Sequence, residues 1–392
     1  MIRSPQGRWE GARRRRFGRG LLAAASLPLA ALGCVAPDDA PPVGDPATGP
    51  GPREVLFYVG GSGERALEAF RANAHRISIL SPQAFRTDSL GNVEGGVHAE
   101  VMEIARANGV RVIPLIVNPG FDQALVHALL ASPEARARTI RSFVSLAREH
   151  GFDGWQFDYE NFHVDDRDAF TAYYRETAEA LHAEGLSLSV AVVPTDGSAG
   201  TTSFQTYMQD NWRNGFDVAA LAEAGDFISL MTYAQHGGPT APGPVAGLPW
   251  VRRMLDYALA RGVPPEKISI GIPTYSIWWL PVHSEDLGAR VAGREIAHAR
   301  ALEAMGEGAP APVWLPEVGA QYTFWANEGI YEWLFLEDAR TLESKLDLFG
   351  EYPGLRGISA WVLGAEDPAI WEVLDRRLPA TRDTSPARGA TP

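Results

Sequence analysis

Short apolar runs rich in β-branched residues recur along the middle of the chain, at Val55–Val59, Ile77–Leu80, Val110–Val117, Trp155–Tyr159, Leu186–Val193, Phe227–Tyr233, Ile268–Tyr275 and Ile358–Leu363. Each is too short for a helix and nearly continuous in apolar character, the pattern of a parallel strand buried on both faces. Helical patterns lie between them at Val97–Asn108, Pro133–His150, Asp165–Glu184, Leu248–Arg261 and Asp338–Gly350, and Pro368–Leu378 follows the last run. Asn108-Gly109, Glu184-Gly185 and Arg261-Gly262 read as helix stops with glycine just beyond. Eight strands with interleaved helices predict an α/β fold, a (β/α)8 TIM barrel, rather than a doubly wound sheet. The spacing breaks once: residues 280–337, rich in Trp, Tyr and Pro, form an insertion between strand 7 and helix 7.

The ends read differently. Arg13 to Arg16 and Arg19 precede an apolar run from Leu21 to Leu32, too short to span a bilayer about 30 Å thick. Residues 1–34 are therefore expected to be an export signal. Its end, Ala31-Leu32-Gly33-Cys34, is similar to a bacterial lipobox with Cys34 as the lipidated residue, ordinary signal-peptidase cleavage being the alternative. Arg14-Arg15-Arg16-Phe17 also suits a twin-arginine signal. The Pro/Gly-rich stretch 35–52 reads as a tether, 53–379 as the barrel and 380–392 as a disordered tail. The expected location is the cell envelope through a lipid anchor, or the medium.

The formal charge is −13, yet the first 33 residues hold seven Arg and one Glu. Without them 28 basic and 47 acidic residues remain, a net −19. Such a balance argues against nucleic acid as partner. Cys34 is the only cysteine, so the barrel has no disulfide to hold it. A monomer is expected.

The chemistry concentrates in Phe152-Asp153-Gly154-Trp155-Gln156-Phe157-Asp158-Tyr159-Glu160-Asn161. As a strand, its period of two puts Gln156, Asp158 and Glu160 on one face and Trp155, Phe157 and Tyr159 on the other. Two carboxylates inside a barrel are costly without partners, and near the C-terminal end of a strand they stand where barrel active sites lie. A solvated strand end is the plain alternative; the bulky apolar residues between the acids, which need a buried face, weigh against it. Other chemistries fit poorly. There is no HExxH or paired-Cys pattern, and Asp158, Glu160, His163 and Asp165 would converge on a metal only through a bend. Gly60-Gly61-Ser62-Gly63 lacks the residues of a phosphate loop and reads as a turn.

Asp153-Gly154-x-Gln156-x-Asp158-x-Glu160 resembles the DGxDxDxE signature of glycoside hydrolase family 18, the chitinase family. Met231-Thr232-Tyr233, Gly271-Ile272-Pro273-Thr274-Tyr275 and Gly357-Ile358-Ser359-Ala360-Trp361 resemble the family's motifs on strands six, seven and eight. Within the family the chain looks most like the branch of spore-cortex-lytic enzymes and di-N-acetylchitobiase. That likeness rests on the run Val112 to Asn118, on Glu337-Asp338-Ala339-Arg340 with Lys345, and on Trp361-Val362-Leu363-Gly364. Two positions depart: Gln156 replaces the inner Asp of most family chitinases, and Ala234 the Asp that often follows the Tyr.

The resemblance implies hydrolysis of β-1,4-linked N-acetylglucosamine units in chitooligosaccharide or peptidoglycan, assisted by the substrate's own 2-acetamido group. Glu160 would be the general acid, its pKa raised by burial and by Asp158. Asp158 would orient the acetamide and stabilise the oxazolinium ion, Tyr233 would donate to the acetamide carbonyl, and Trp361 would floor the sugar. Gln156, Met231, Tyr275 and Asn118 are expected to bind substrate. Trp278, Trp279, Trp314 and Trp325 are candidates for outer sugar subsites, though packing is the commoner role for each. No metal or organic cofactor is implied. The alternative is a catalytically silent glycan-binding surface protein on the same barrel.

Overall fold

In the computed structural model, which describes residues 53–60, 63–238, 240–284, 288–306 and 308–379, the eight apolar runs become one closed sheet of parallel strands. They are β1 (Glu54–Gly60), β2 (Ile79–Thr87), β3 in two pieces (Arg111–Val112 and Leu115–Val117), β4 (Gly154–Asp158), β5 (Ser187–Val192), β6 (Phe227–Leu230), β7 (Ile268–Pro273) and β8 (Gly357–Trp361). Each pairs with the next, and β8 closes on β1 in the register Glu54↔Gly357. The gap in β3 falls at Ile113 and Pro114, where proline has no N–H for a ladder. The expected signal, Cys34, tether and tail lie outside the described residues, as does the middle of the Gly60–Gly63 turn.

The expected helices stand at Ala99–Asn108, Pro133–His150, Arg167–His182, Leu248–Ala260, Ala339–Leu346 and Ile370–Arg377. Gly109, Gly185 and Gly262 follow three of them with φ of 68°, 71° and 89°, left-handed values that glycine adopts without a Cβ penalty. Further helices appear at Glu64–Asn73, Gln123–Ala131, Ser203–Met208, Val218–Ala224 and His298–Met305. The outward residues Trp155 and Phe157 of β4, and Tyr159 just beyond it, are sealed against these helices. Trp155 lies 4.8 Å from Phe143 and Phe157 5.2 Å from Tyr173, ring centre to ring centre. Full burial of one such side chain stabilises the fold by roughly 1.5–3 kcal/mol.

Inside the barrel the side chains stack in layers. At the N-terminal end Glu54 bridges Arg111 and Arg356, and the Arg356 guanidinium sits 4.7 Å over the Phe227 ring. Leu56, Ile79 and Ile113 fill the space above. The middle is a hydroxyl layer in which Ser229 and Ser359 are joined at 2.8 Å and Ser269 and Ser359 at 2.7 Å. The insertion spans Ser276 to Leu336, four residues earlier at its start than expected. It folds as a five-stranded antiparallel sheet (Ser276–Ser284, Gly288–Ile296, Val313–Leu315, Ala320–Asn327, Ile330–Leu336).

Candidate active site

Gln156 and Asp158 share the inward face of β4, and Glu160, just beyond its end, opens on the same cleft as Asp158. Gln156, fully buried, donates from Nε2 to Ser189 Oγ at 2.9 Å and Ser229 Oγ at 3.2 Å, so it belongs to the hydroxyl layer beneath the site. Tyr58 of β1 lies beside Gln156, Ser229, Ser359 and Asp158, buried, its hydroxyl short of hydrogen-bond geometry with any of them. Asp158 comes next, 6% exposed, with Gln83 of β2 against it. Burial raises its pKa to about 6, Gln83 opposing.

Glu160 lies two residues past the end of β4, yet its backbone stays in line because Asn118 holds it. Asn118 Nδ2 donates to Glu160 O at 2.8 Å and Asn118 Oδ1 accepts from Glu160 N at 2.9 Å. One buried side-chain amide thus does what a further residue of β3 would do. Burial first, and the charge of Asp158 second, push the Glu160 carboxyl well above its usual range. So placed, the Glu160 carboxyl is biased toward its protonated form by burial and by the charge of Asp158.

Tyr233 follows β6, where the chain leaves the ladder. Gly271 of β7 makes the room: a Cβ there would come within 2.4 Å of Leu230 O, 2.6 Å of Thr232 N and 3.0 Å of Tyr233 Cδ1. Burial raises the Tyr233 hydroxyl well above its ordinary pKa, and the neighbouring Asp158 and Glu160 add to it. Its ring meets Tyr275 edge-on at 6.5 Å. Trp361 ends β8 with its ring 5.6 Å from that of Tyr58. Thr274 fixes that strand end, donating its N–H to Trp361 O at 2.8 Å and accepting from Val362 N at 2.6 Å.

Asp158, Glu160, Met231, Tyr233, Tyr275 and Trp361 open on one cleft of about 640 Å³ at the C-terminal end of the barrel. Asn118 and Gln156 stand behind it, on the Glu160 backbone and in the hydroxyl layer. The four insertion tryptophans have packing partners: Trp279 is fully buried and donates to Thr240 O at 3.1 Å, Trp278 donates to Glu332 Oε2 at 2.9 Å and lies 6.3 Å from Trp325, and Trp314 lies under Arg340 of the helix that follows the insertion. His163 Nδ1 accepts from Asp165 N at 3.2 Å in the turn Val164–Asp166, apart from the acids.

Several cleft residues escaped the sequence reading. Tyr58 and Gln83 were legible in principle, since period two along β1 and β2 turns both inward. Trp212 and Arg213 sit in a long connection where no periodicity marks them, and Glu295 sits in a strand of the inserted sheet. Burial raises the Glu295 carboxyl, which reaches the cleft from the inserted sheet.

The profile of the family described as Glycosyl hydrolases family 18 matches residues 77–366. The chain is 28% identical over 332 residues to a cortical fragment-lytic enzyme of Bacillus subtilis (strain 168), covering 82% of this chain and 72% of that one. It is 28% identical over 260 residues to the putative sporulation-specific glycosylase YdhD of the same organism, covering 64% of this chain and 58% of that relative's length. The crystal structure of the spore cortex-lytic enzyme SleL of Bacillus megaterium QM B1551 superposes with a TM-score of 0.72 at 25% identity, over 83% of this chain and 74% of that one.

Proposed function

We propose that this chain, which belongs to glycosyl hydrolases family 18, cleaves β-1,4 linkages in glycans containing N-acetylglucosamine by substrate-assisted catalysis with retention. The observation that carries the reading is the convergence of Glu160, Asp158 and Tyr233 on one cleft, with burial and the charge of Asp158 both biasing the Glu160 carboxyl toward its protonated form. Glu160 gives its proton to the leaving oxygen as the C1–O bond breaks. The substrate's acetamide oxygen closes on C1 in its place, and no protein nucleophile is needed. Asp158, ionised, takes the acetamide N–H and balances the charge of the oxazolinium ring. Tyr233 donates its hydroxyl to the acetamide oxygen, and Trp361 supplies the apolar surface beneath the ring. Water then opens the ring at C1 with Glu160, now a carboxylate, as base.

Glu160→Gln, nearly isosteric, is expected to cut turnover of chitooligosaccharide or peptidoglycan strands by on the order of 100-fold or more while sugar binding persists. A thiazoline mimic of the cyclised sugar is expected to inhibit competitively, and substrates without the 2-acetamido group to resist cleavage. Wild-type rates in the variant would remove Glu160 from its role. A covalent sugar trapped on Asp158 would remove substrate assistance.

A further inference from the structure

The cleft continues past the two acids along the wall built by the segment after β5, and there it carries a charge that neither acid uses. That segment folds as the helix Ser203–Met208 and one wide turn, Gln209–Arg213. It is tied down on both sides. Gln209 Nε2 donates to Ser198 O at 2.9 Å, and Gln123 Nε2 donates to Asn211 Oδ1 at 2.9 Å. Trp212 packs on Phe121, ring centres 5.4 Å apart. Trp212 and Arg213 therefore belong to a fixed wall.

Arg213 lines the cleft with Phe121, Met208 and Trp212. Its Nε is buried without a hydrogen-bond partner, and among the described residues no carboxylate lies within ion-pair distance of it. The acid that attracts it from farther away, Asp196, is engaged elsewhere. Asp196 Oδ1 accepts from the Ser198 N–H at 3.0 Å and hydroxyl at 2.6 Å, while Oδ2 faces Arg253 Nε at 3.7 Å. Asp158 and Glu160 line the same cleft and are among the carboxylates beyond ion-pair distance of the guanidinium. A guanidinium taken partly out of water is costly until its planar fork meets an anion, and a carboxylate matches that fork with two parallel hydrogen bonds.

We infer that Arg213, with the apolar patch of Phe121, Met208 and Trp212, forms a subsite for a sugar that carries a carboxylate. The inference rests on the hydrolytic reading above and narrows its substrate: the patch takes the face of the pyranose and the guanidinium takes the acid. An uncharged chain of N-acetylglucosamine would cover the patch and leave the guanidinium without its anion. In amino-sugar glycans the carboxylate is borne by the 3-O-lactyl ether of N-acetylmuramic acid or by a peptide joined to it, and the two share the chemistry recognised here.

The test compares kcat/KM of the full chain on four substrates: chitooligosaccharides, peptide-free strands of alternating N-acetylglucosamine and N-acetylmuramic acid, the same strands with the lactyl carboxylates methyl-esterified, and strands that keep their peptides. The free-acid strands are expected to exceed their esters by on the order of 10- to 100-fold, through KM, with the advantage shrinking as salt rises. Arg213→Met should collapse the ratio of free acid to ester toward one, and Arg213→Lys should keep part of it. An advantage confined to the peptide-bearing strands assigns the carboxylate to the peptide. Equal rates on free acid, ester and peptide-bearing strands, or a ratio unmoved in a folded Arg213→Met, would overturn the subsite. Should no glycan be cleaved, calorimetric binding of the same ligands separates the two readings. A preference for the free acid that depends on Arg213 keeps the subsite while the hydrolytic reading falls; no preference removes the subsite as well.

Discussion

Asp158 is buried and Glu160 half-buried; Gln83 eases the ionisation of Asp158, whereas Glu160 feels Asp158 as a like charge. Activity requires the first ionised and the second protonated. kcat/KM is therefore expected to rise as pH passes about 6, where Asp158 loses its proton, and to fall at higher pH as Glu160 ionises. Both limbs belong to the coupled pair. Asp158→Asn removes the charge that helps hold the Glu160 proton, so the falling limb should move to lower pH and the rate should drop. A falling limb that stays in place would mean the two carboxyls do not interact. At this scale the acid pair was legible because two residues on one strand face need only period two. Arg213 was not: a residue in a connection leaves no mark of its role on its own segment.

One side chain extends an element. β4 ends at Asp158, and the amide of Asn118 replaces the missing ladder at Glu160. Asn118→Ala is expected to lower kcat on the order of 10-fold or more with a smaller change in KM, because displacement of a catalytic group by about 1 Å costs up to about 100-fold. A KM effect alone would make Asn118 a binding residue instead. The inserted sheet has its own anchor. Glu337, just past its last strand, is 3% exposed and accepts from Lys345 Nζ at 2.8 Å, with Lys345 1% exposed in the helix Ala339–Leu346. Lys345→Met would leave that carboxylate buried and unpaired, a loss of about 3–5 kcal/mol, read as a lower denaturant midpoint. An unchanged midpoint would show that water reaches Glu337. From the sequence only the existence of this insertion was legible. Its strands carry aromatic residues on both faces, as at Tyr322, Phe324 and Trp325, which blurs period two. The second barrel strand was read short for a related reason, since Pro82 and Gln83 interrupt its apolar run although β2 continues to Thr87.

Across the whole molecule, parallel strands buried on both faces made the barrel plain in the sequence, whereas helices such as Glu64–Asn73, whose apolar positions are mostly alanine, were hidden. The closure of that barrel has a consequence for how the chain is made. β1 finds one of its two neighbours in β8, with Val55 opposite Ile358, and Trp371 of the final helix stacks 4.9 Å from Phe57. At roughly 5–20 residues per second, the ribosome delivers the second partner some 15 to 60 s after the first strand has emerged. Throughout that interval β1 has an open edge and an uncovered apolar face, a template for wrong partners. Released fragments that stop short of Gly357 should therefore remain open to proteases, and residues 357–379 should confer resistance in one step. A protease-resistant fragment ending at residue 350 would show instead that seven strands hold together by themselves. An unfinished chain is thus the molecule's most vulnerable form, and whatever shields nascent polypeptides must guard this one almost to its last helix.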